Sequence, residues 1–543
     1  MEKPQFVDDI RIKGAYTGIL LRSPVVSGIL REIKTPQLPG NVSLISADHI
    51  PGDPMPFGIP IFPKKELSWF GQPVALLLGP DPALLEQIAQ HCEVLADTSE
   101  INEKEKLIAE KNYTQGNIEE AFDHPHTVVE GTYTTGIQDP WSSDTPGAIA
   151  VPGAAYTMII HTATQRPGHV RSSVAACLKI NPSKVTVKVS RLEIDLDSKV
   201  WFPSLLACQA AVGARIINKP VRLILTREED FLFSPKSVGT EIAIQSALDK
   251  QGAILGTRIQ ISANFGAFGI FADEILDNIT LAALSAYNHE SVSVEAKGYV
   301  NSIPPAGPTM AYGLVQGFYA AEQHSSLIAD TLGENPASWR KNAFIHTGLI
   351  DAIEKDSDYC RKWAAYELLR KSRREGTAER SQYEAPRGIG IAAAYQGKVN
   401  CWGIAVVEAE IDTAAYTSKI RGIWLVLEGK INSIIKRSAA ISAMQALSWA
   451  MQENLVYQNG RISGTSVLDY PIFAEEVPQA IINFIGSDSK SHTGLPGNTY
   501  GAAILAFSTI PAAYTQALSQ ALDSPFQRYP ADSQAIWKAL CQS

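Results

Sequence analysis

The chain has 543 residues, with 47 Lys and Arg against 56 Asp and Glu, a net charge of −9 and an isoelectric point near 5.7. That acidic balance argues against general binding to nucleic acid or to an anionic membrane surface, both of which ask for a basic patch. With 45% hydrophobic and 19% charged residues the composition is that of a folded chain of about three to four domains, and its 39 Gly and 32 Pro carry no period, which excludes a collagen-like or low-complexity protein.

In chain order, residues 1–100 alternate short strand signals with turns. Val74–Leu78 is a continuous apolar run that predicts a buried strand, and Pro82 to Val94 has the amphipathic spacing of a helix. Residues 101–126 are polar and charged and predict a linker. Strands resume with TVVEGTYTT from Thr127, then YTMIIHTATQ, then the alternating VTVKV of Val185–Val189. A helix is expected over Ser204–Ile217 and a strand over Pro220–Thr226. This strand–helix–strand rhythm predicts an α/β or α+β core. Residues 317–345 read as a helix pair. Residues 351–385 read as a helical linker, its basic side (Arg361, Lys362, Arg370, Lys371, Arg373, Arg374) interleaved with acids as on a solvated face. Pro386-Arg387-Gly388 opens a new strand-rich segment, followed by helical stretches at 434–454 and Ala502–Leu522.

No apolar run reaches the ~18 residues needed to span a bilayer. The N-terminal MEKPQFVDDIRIKG lacks the apolar core of a signal peptide, so a cytoplasmic protein is expected. The six cysteines (Cys92, Cys177, Cys208, Cys360, Cys401 and Cys541) form no CxxC pair and lack the spacing of an iron–sulfur site. They read as reduced thiols, and any iron–sulfur centre serving this chain is expected on another polypeptide.

The local motifs carry little chemistry. Gly388-Ile389-Gly390-Ile391-Ala392-Ala393 fits G-x-G-x-x-A, and Glu408 follows at the distance of a ribose-binding acid. A dinucleotide fingerprint needs a strand–turn–helix context, and IGIAAAY itself reads as a strand. Asp123-His124-Pro125-His126 offers two imidazoles with no third ligand nearby and reads as a surface loop. Glu228-Glu229-Asp230 fit a helix N-terminus, where the dipole favours carboxylates. There is no G-x-S-x-G elbow of a serine hydrolase.

Longer segments carry a resemblance. LLRSPVVSGILREI, LPGNVSLISADHIPG and WFGQPVALLLG are followed by EGTYTTGIQDPWSSDTPGAIA, HTATQRPGHVRSSVAACLKINPSKVTVKV and INKPVRLILTREEDF. TMAYGLVQGFYAAEQHSSLIADTLGENPASWRKNAF and NGRISGTSVLDYPIFAEEVPQAIINFI come later, in the same order. Together they resemble the large, molybdopterin-binding subunit of the molybdenum hydroxylases, the xanthine dehydrogenase/aldehyde oxidase family. The resemblance implies an α+β architecture: an α/β hammerhead-like domain over 1–100, a linker over 101–126, a first molybdopterin-binding-like domain over 127–350, a helical linker over 351–385, and a second, shortened one over 386–543.

The resemblance also implies an oxidoreductase that holds a molybdenum–molybdopterin cofactor between domains and hydroxylates an aldehyde or N-heterocycle. Its partners would be iron–sulfur and FAD subunits or a second molybdopterin-binding chain, with no nucleic acid and no membrane. Gln165, Gly313 and Gln316 match family cofactor contacts and are the candidate cofactor-binding residues. No catalytic residue and no metal ligand is assigned. The family's G-G-G-F-G-G-K loop falls on Glu193–Lys199 with only the Lys kept, its loop Arg on Met310, its His and Glu on Pro140 and Asp144, and its catalytic Glu on Gly497. Glycines serve where backbone approaches a ligand, and a general base contributes about 10²–10⁴-fold. The G-Q-x-x-G-G helix entry falls on Arg437–Ser442, and a domain-sized stretch is missing between Gly388 and Ala405.

Preserved apolar patterns beside lost chemistry favour a non-catalytic or structural subunit of a hydroxylase complex. The alternative is an active subunit that completes its site with another chain.

Overall fold

A computed structural model describes residues 5–99, 106–192, 197–285, 287–343, 346–375, 385–397, 401–429, 433–471, 477–486 and 499–542. Its first sheet has seven strands, in the order Val185–Val189, Met158–Thr162, Gly147–Pro152, Val221–Ile224, Tyr16–Arg22, Pro73–Gly79, Ser43–Ile45. Pro73–Gly79 is buried at every position, as an all-apolar run inside a covered sheet must be. Tyr16 pairs in parallel with Val221, so residues 1–100 and the following segment share this sheet. The Phe202–Ile217 helix covers it, buried from Phe202 to Ala214.

A second sheet of six strands runs Arg528–Tyr529, Thr127–Thr135, Gly239–Leu248, Ile254–Asn264, Ser291–Val300, Lys106–Gln115. A third has four, Arg387–Gln396, Cys401–Asp412, Thr417–Glu428 and Ile481–Ile485. The Ser433–Met451 and Thr499–Leu522 helices pack with this third sheet in one apolar core, which reaches the Leu314–Leu332 helix. Sheets and helices alternate along the chain, and the mixed α/β character expected from the sequence holds.

The differences are local. The helix from Pro82 ends at Gln90, because Glu93–Thr98, which includes Val94, pairs with Gly28–Lys34 as a strand. The stretch 101–126 is not a bare linker: Lys106–Gln115 is an edge strand and Ile118–Asp123 a short helix. The strand buries only Ala109, so its composition is that of an exposed edge rather than of a core strand. In 351–385, Thr347–Ser357 and Tyr359–Arg374 are helices whose Ile350, Ile353 and Tyr359 sit in a core cluster. Their basic side is paired, not merely solvated. Arg370 bonds Asp330 (2.9 Å), Glu367 (3.2 Å) and Asp523 (2.6 Å).

Gly388 and Gly390 lie on a strand. A Cβ at either would stand 2.0 Å from Ala517 O or 2.1 Å from Ala513 O, so this G-x-G admits the Thr499–Leu522 helix. Glu408, on the paired strand, accepts hydrogen bonds from Lys362 (2.8 Å) and Tyr366 (2.5 Å). Gln396 faces Cys401 in an antiparallel hairpin, where the resemblance expects a domain-sized stretch. Thr226 caps the helix that carries Glu228, Glu229 and Asp230, as expected. Among the described residues no helix is long and apolar enough to cross a membrane, and the six cysteines are free thiols.

Candidate functional site

The candidate residues meet at the end of the first sheet. The Met158–Thr162 strand runs into a bend at 163–166, and Pro167 then starts the Pro167–Leu178 helix in the first-turn position that suits its missing N–H. In that bend Gln165 is tied reciprocally to Lys199. The Gln165 N–H donates to Lys199 O (3.0 Å), and the Lys199 N–H donates to Gln165 Oε1 (3.2 Å). The Lys199 ammonium is spent on Asp144, with both side chains nearly sealed from solvent.

Asp197 reaches across from the same loop. Its buried carboxylate accepts a hydrogen bond from the Ala311 N–H at 3.1 Å. Residues 310–313 are held in an unusual form, with φ of 45° at Met310, 70° at Ala311, 53° at Tyr312 and 92° at Gly313. Left-handed backbone costs a non-glycine residue of order 1–3 kcal/mol and persists only where its surroundings impose it. Here they do. Asp197 holds Ala311, Asn278 donates to Tyr312 O at 3.1 Å, and Arg166 donates to the Tyr312 hydroxyl at 2.7 Å.

Gly313 caps the Leu314–Leu332 helix. A Cβ there would lie 2.7 Å from Ile279 and 3.0 Å from Ile275 O, so neighbouring packing accounts for the glycine. Gln316, one turn on, donates to Val238 O at 3.1 Å and leaves a buried Oε1 without a partner among the described residues. Met310 is buried in the apolar core, where the resemblance places an Arg. Gln165 and Gly313 thus flank one junction, through Lys199 and Asp197 in the first case and Ala311 in the second, while Gln316 turns to Val238 O. Gly497 and Glu193–Leu196 lie outside the described residues. Arg437–Ser442 lies within the Ser433–Met451 helix.

These residues do not fit an anionic pterin phosphate. The Lys199 ammonium is neutralised by Asp144, the Arg166 guanidinium is engaged by the Tyr312 hydroxyl, and the buried Asp197 carboxylate stands between the two loops. Beside the junction opens a cleft of about 710 Å³, lined by Arg166, His169 and the aromatic rings of Phe57, Phe268 and Phe271. Burial, and then the charge of Arg166, hold the His169 imidazole below its ordinary pKa.

Motif reading missed a second cluster. Asp139 forms a 2.8 Å ion pair with Lys236, whose ammonium also donates to Asp230 O and Ser234 Oγ, each at 3.1 Å. The Asp139 N–H donates to the Tyr470 hydroxyl at 3.0 Å, and Glu453 lies on the other side of that phenol. Asp139 and Asp230 face Lys236 and the half-buried Arg227, and Glu453 adds a third carboxylate beside Asp139. Burial pushes Glu453 up to about 8; burial and then Asp139 push Asp230 up to about 6. The residues come from four separated segments, so no spacing announces them. Among the described residues no group of His, Cys, Asp and Glu has the arrangement to hold a metal ion.

Comparison with known proteins agrees on the fold. Residues 100–344 match the molybdopterin cofactor-binding domain. Aldehyde oxidase 4 of Cavia porcellus is 24% identical over 363 residues, covering 62% of this chain and 27% of the relative. Xanthine dehydrogenase of Blastobotrys adeninivorans is 24% identical over 329 residues, 58% of this chain and 23% of the relative. The chain therefore spans about a quarter of these curated relatives. Among solved structures, quinoline 2-oxidoreductase from Pseudomonas putida 86 superposes with a TM-score of 0.85 at 16% identity, covering 99% of this chain and 96% of that one. A Cu,Mo-CO dehydrogenase superposes with a TM-score of 0.87 at 14% identity and the same coverage.

Proposed function

The chain is a member of the molybdenum hydroxylase family, and from that premise we propose that it is a non-catalytic, structural subunit of a hydroxylase complex. Asp197 carries the reading. Its carboxylate bonds Ala311 where the family's glycine loop would leave room for an anionic cofactor. A buried carboxylate repels a phosphate brought up against it, and sealing the two together costs desolvation besides. Lys199 offers no relief, because its ammonium is committed to Asp144.

On this reading Gln165, Gly313 and Gln316 are remnants of cofactor contacts now used for packing. Residues 1–100, 127–350 and 386–543 are the hammerhead-like and the two molybdopterin-binding-like units, the last of them shortened at the Gln396–Cys401 hairpin. The partners would be iron–sulfur and FAD chains, or a second molybdopterin-binding chain, in the cytoplasm.

The test is the molybdenum and pterin content of the protein purified from a host that makes the cofactor. The expected result is background metal and no pterin. Stoichiometric molybdenum with reducible absorbance would overturn the proposal. Metal that appears only on co-expression with a neighbouring large subunit would favour a site completed by another chain.

A further inference from the structure

Away from the candidate site, a cavity of about 250 Å³ lies among the Leu314–Leu332, Tyr359–Arg374 and Thr499–Leu522 helices and the Arg387–Gln396 strand. Trp363, Tyr359, Phe526, Leu327 and Ile389 give it apolar and aromatic walls, and its size suits one ring or a fused pair. Two of its polar groups are left as acceptors.

Gln323 is one of them. The side chain is 6% exposed. Its Nε2 donates to Ala512 O (3.1 Å) and to Thr515 Oγ1. Both neighbours of that nitrogen are acceptors, since the Thr515 hydroxyl gives its own proton to Pro511 O. The amide orientation is therefore settled by its network, and Oε1 is left without a hydrogen bond among the described residues.

Tyr133 is the second. It heads a chain of hydrogen bonds through His324 (3.0 Å), Ser246 (3.0 Å), Thr257 (3.2 Å) and His289 (3.0 Å) to Leu284 O (3.0 Å). The terminal carbonyl can only accept, so His289 Nε2 carries a proton, and its Nδ1 accepts from Thr257. Each hydroxyl upstream must then donate forward. His324 is neutral, with burial pushing it down to about 3. Tyr133 donates to it, and the Tyr133 oxygen is left able only to accept.

Charge points the same way. Asp330, Glu334 and Asp523 line the mouth against Arg370 and Arg374, and both guanidiniums are engaged by those acids. The Tyr359 hydroxyl, buried without a partner among the described residues, can accept or donate a hydrogen bond.

We propose that this cavity binds a small aromatic cation, its ring between Trp363 and Phe526 and its protonated nitrogen on Gln323 Oε1 and the Tyr133 oxygen. The site is separate from the pterin junction and does not depend on the reading of that junction.

Calorimetric titration of the full chain with benzamidinium chloride, and in parallel with sodium benzoate, tests this. Benzamidinium should bind and benzoate should not. Gln323→Leu should weaken benzamidinium roughly tenfold or more, the loss of one charge-assisted hydrogen bond. Asp330→Asn changes a half-exposed residue at the mouth and should weaken it about threefold with the fold intact. Equal binding of benzoate, no benzamidinium binding up to about 10 mM, or unchanged affinity in both variants would overturn the proposal.

Discussion

Single side chains in this protein are constrained most where charge is buried. Arg340 and Glu322 are both fully buried, 3.0 Å apart, and the Glu322 carboxylate also accepts from the Tyr287 hydroxyl (2.7 Å) and the Ala393 N–H (2.9 Å). Arg340→Ala leaves that carboxylate sealed without its cation, so unfolding in urea should show a loss of about 3–5 kcal/mol; a loss below about 1 kcal/mol would refute this account of the pair. Glu453 makes a prediction of opposite character. Its folded pKa is raised to about 8, so the folded state holds a proton that the unfolded chain gives up at ordinary carboxylate pH. The stability this supplies is complete below that ordinary value and is lost as pH rises through about 8. Asp230 adds a smaller effect of the same sign, ending near 6. Glu453→Gln cannot ionise, so its unfolding free energy should fall less between about pH 6 and pH 9 than that of the unsubstituted protein. Parallel slopes would show that Glu453 is already ionised in the fold.

Secondary-structure elements fit together by close backbone approach as much as by side chains. Gly390 is the clearest case, with Ala513 O where its Cβ would be. Gly390→Ala must push the Thr499–Leu522 helix away or bend the strand, and overpacking of this kind costs about 1–3 kcal/mol. Thermal unfolding would read it as a lowered Tm. The same glycine shows what the sequence made legible and what it hid. IGIAAAY announced a strand through its unbroken apolar run, and the strand is there. The reason for its glycines was hidden, because the helix that needs them lies more than a hundred residues away. Lys106–Gln115 was hidden for a different reason. An edge strand with one buried residue has the composition of a loop, and only its pairing to Ser291–Val300 makes it a strand.

At the scale of the whole molecule, the segment order that carried the resemblance was legible because core patterns such as PVALLLG survive in the fold. On the proposed reading the candidate site was legible only as departures from the family pattern, Met310 for a cation and acids for glycines. Which side chains meet there was not legible. Asp197 meets Ala311 across 114 positions, and the acid cluster around Lys236 joins Gln138 to Glu453 across 315. The first sheet has the same long reach, and with it a temporal consequence. Tyr16 has its parallel neighbour at Val221, so a ribosome making about 5–20 residues per second leaves that strand without its partner for roughly 10–40 s. During that interval the nascent Tyr16–Arg22 strand offers an open edge to whatever surrounds it, and a chaperone's protection matters most there.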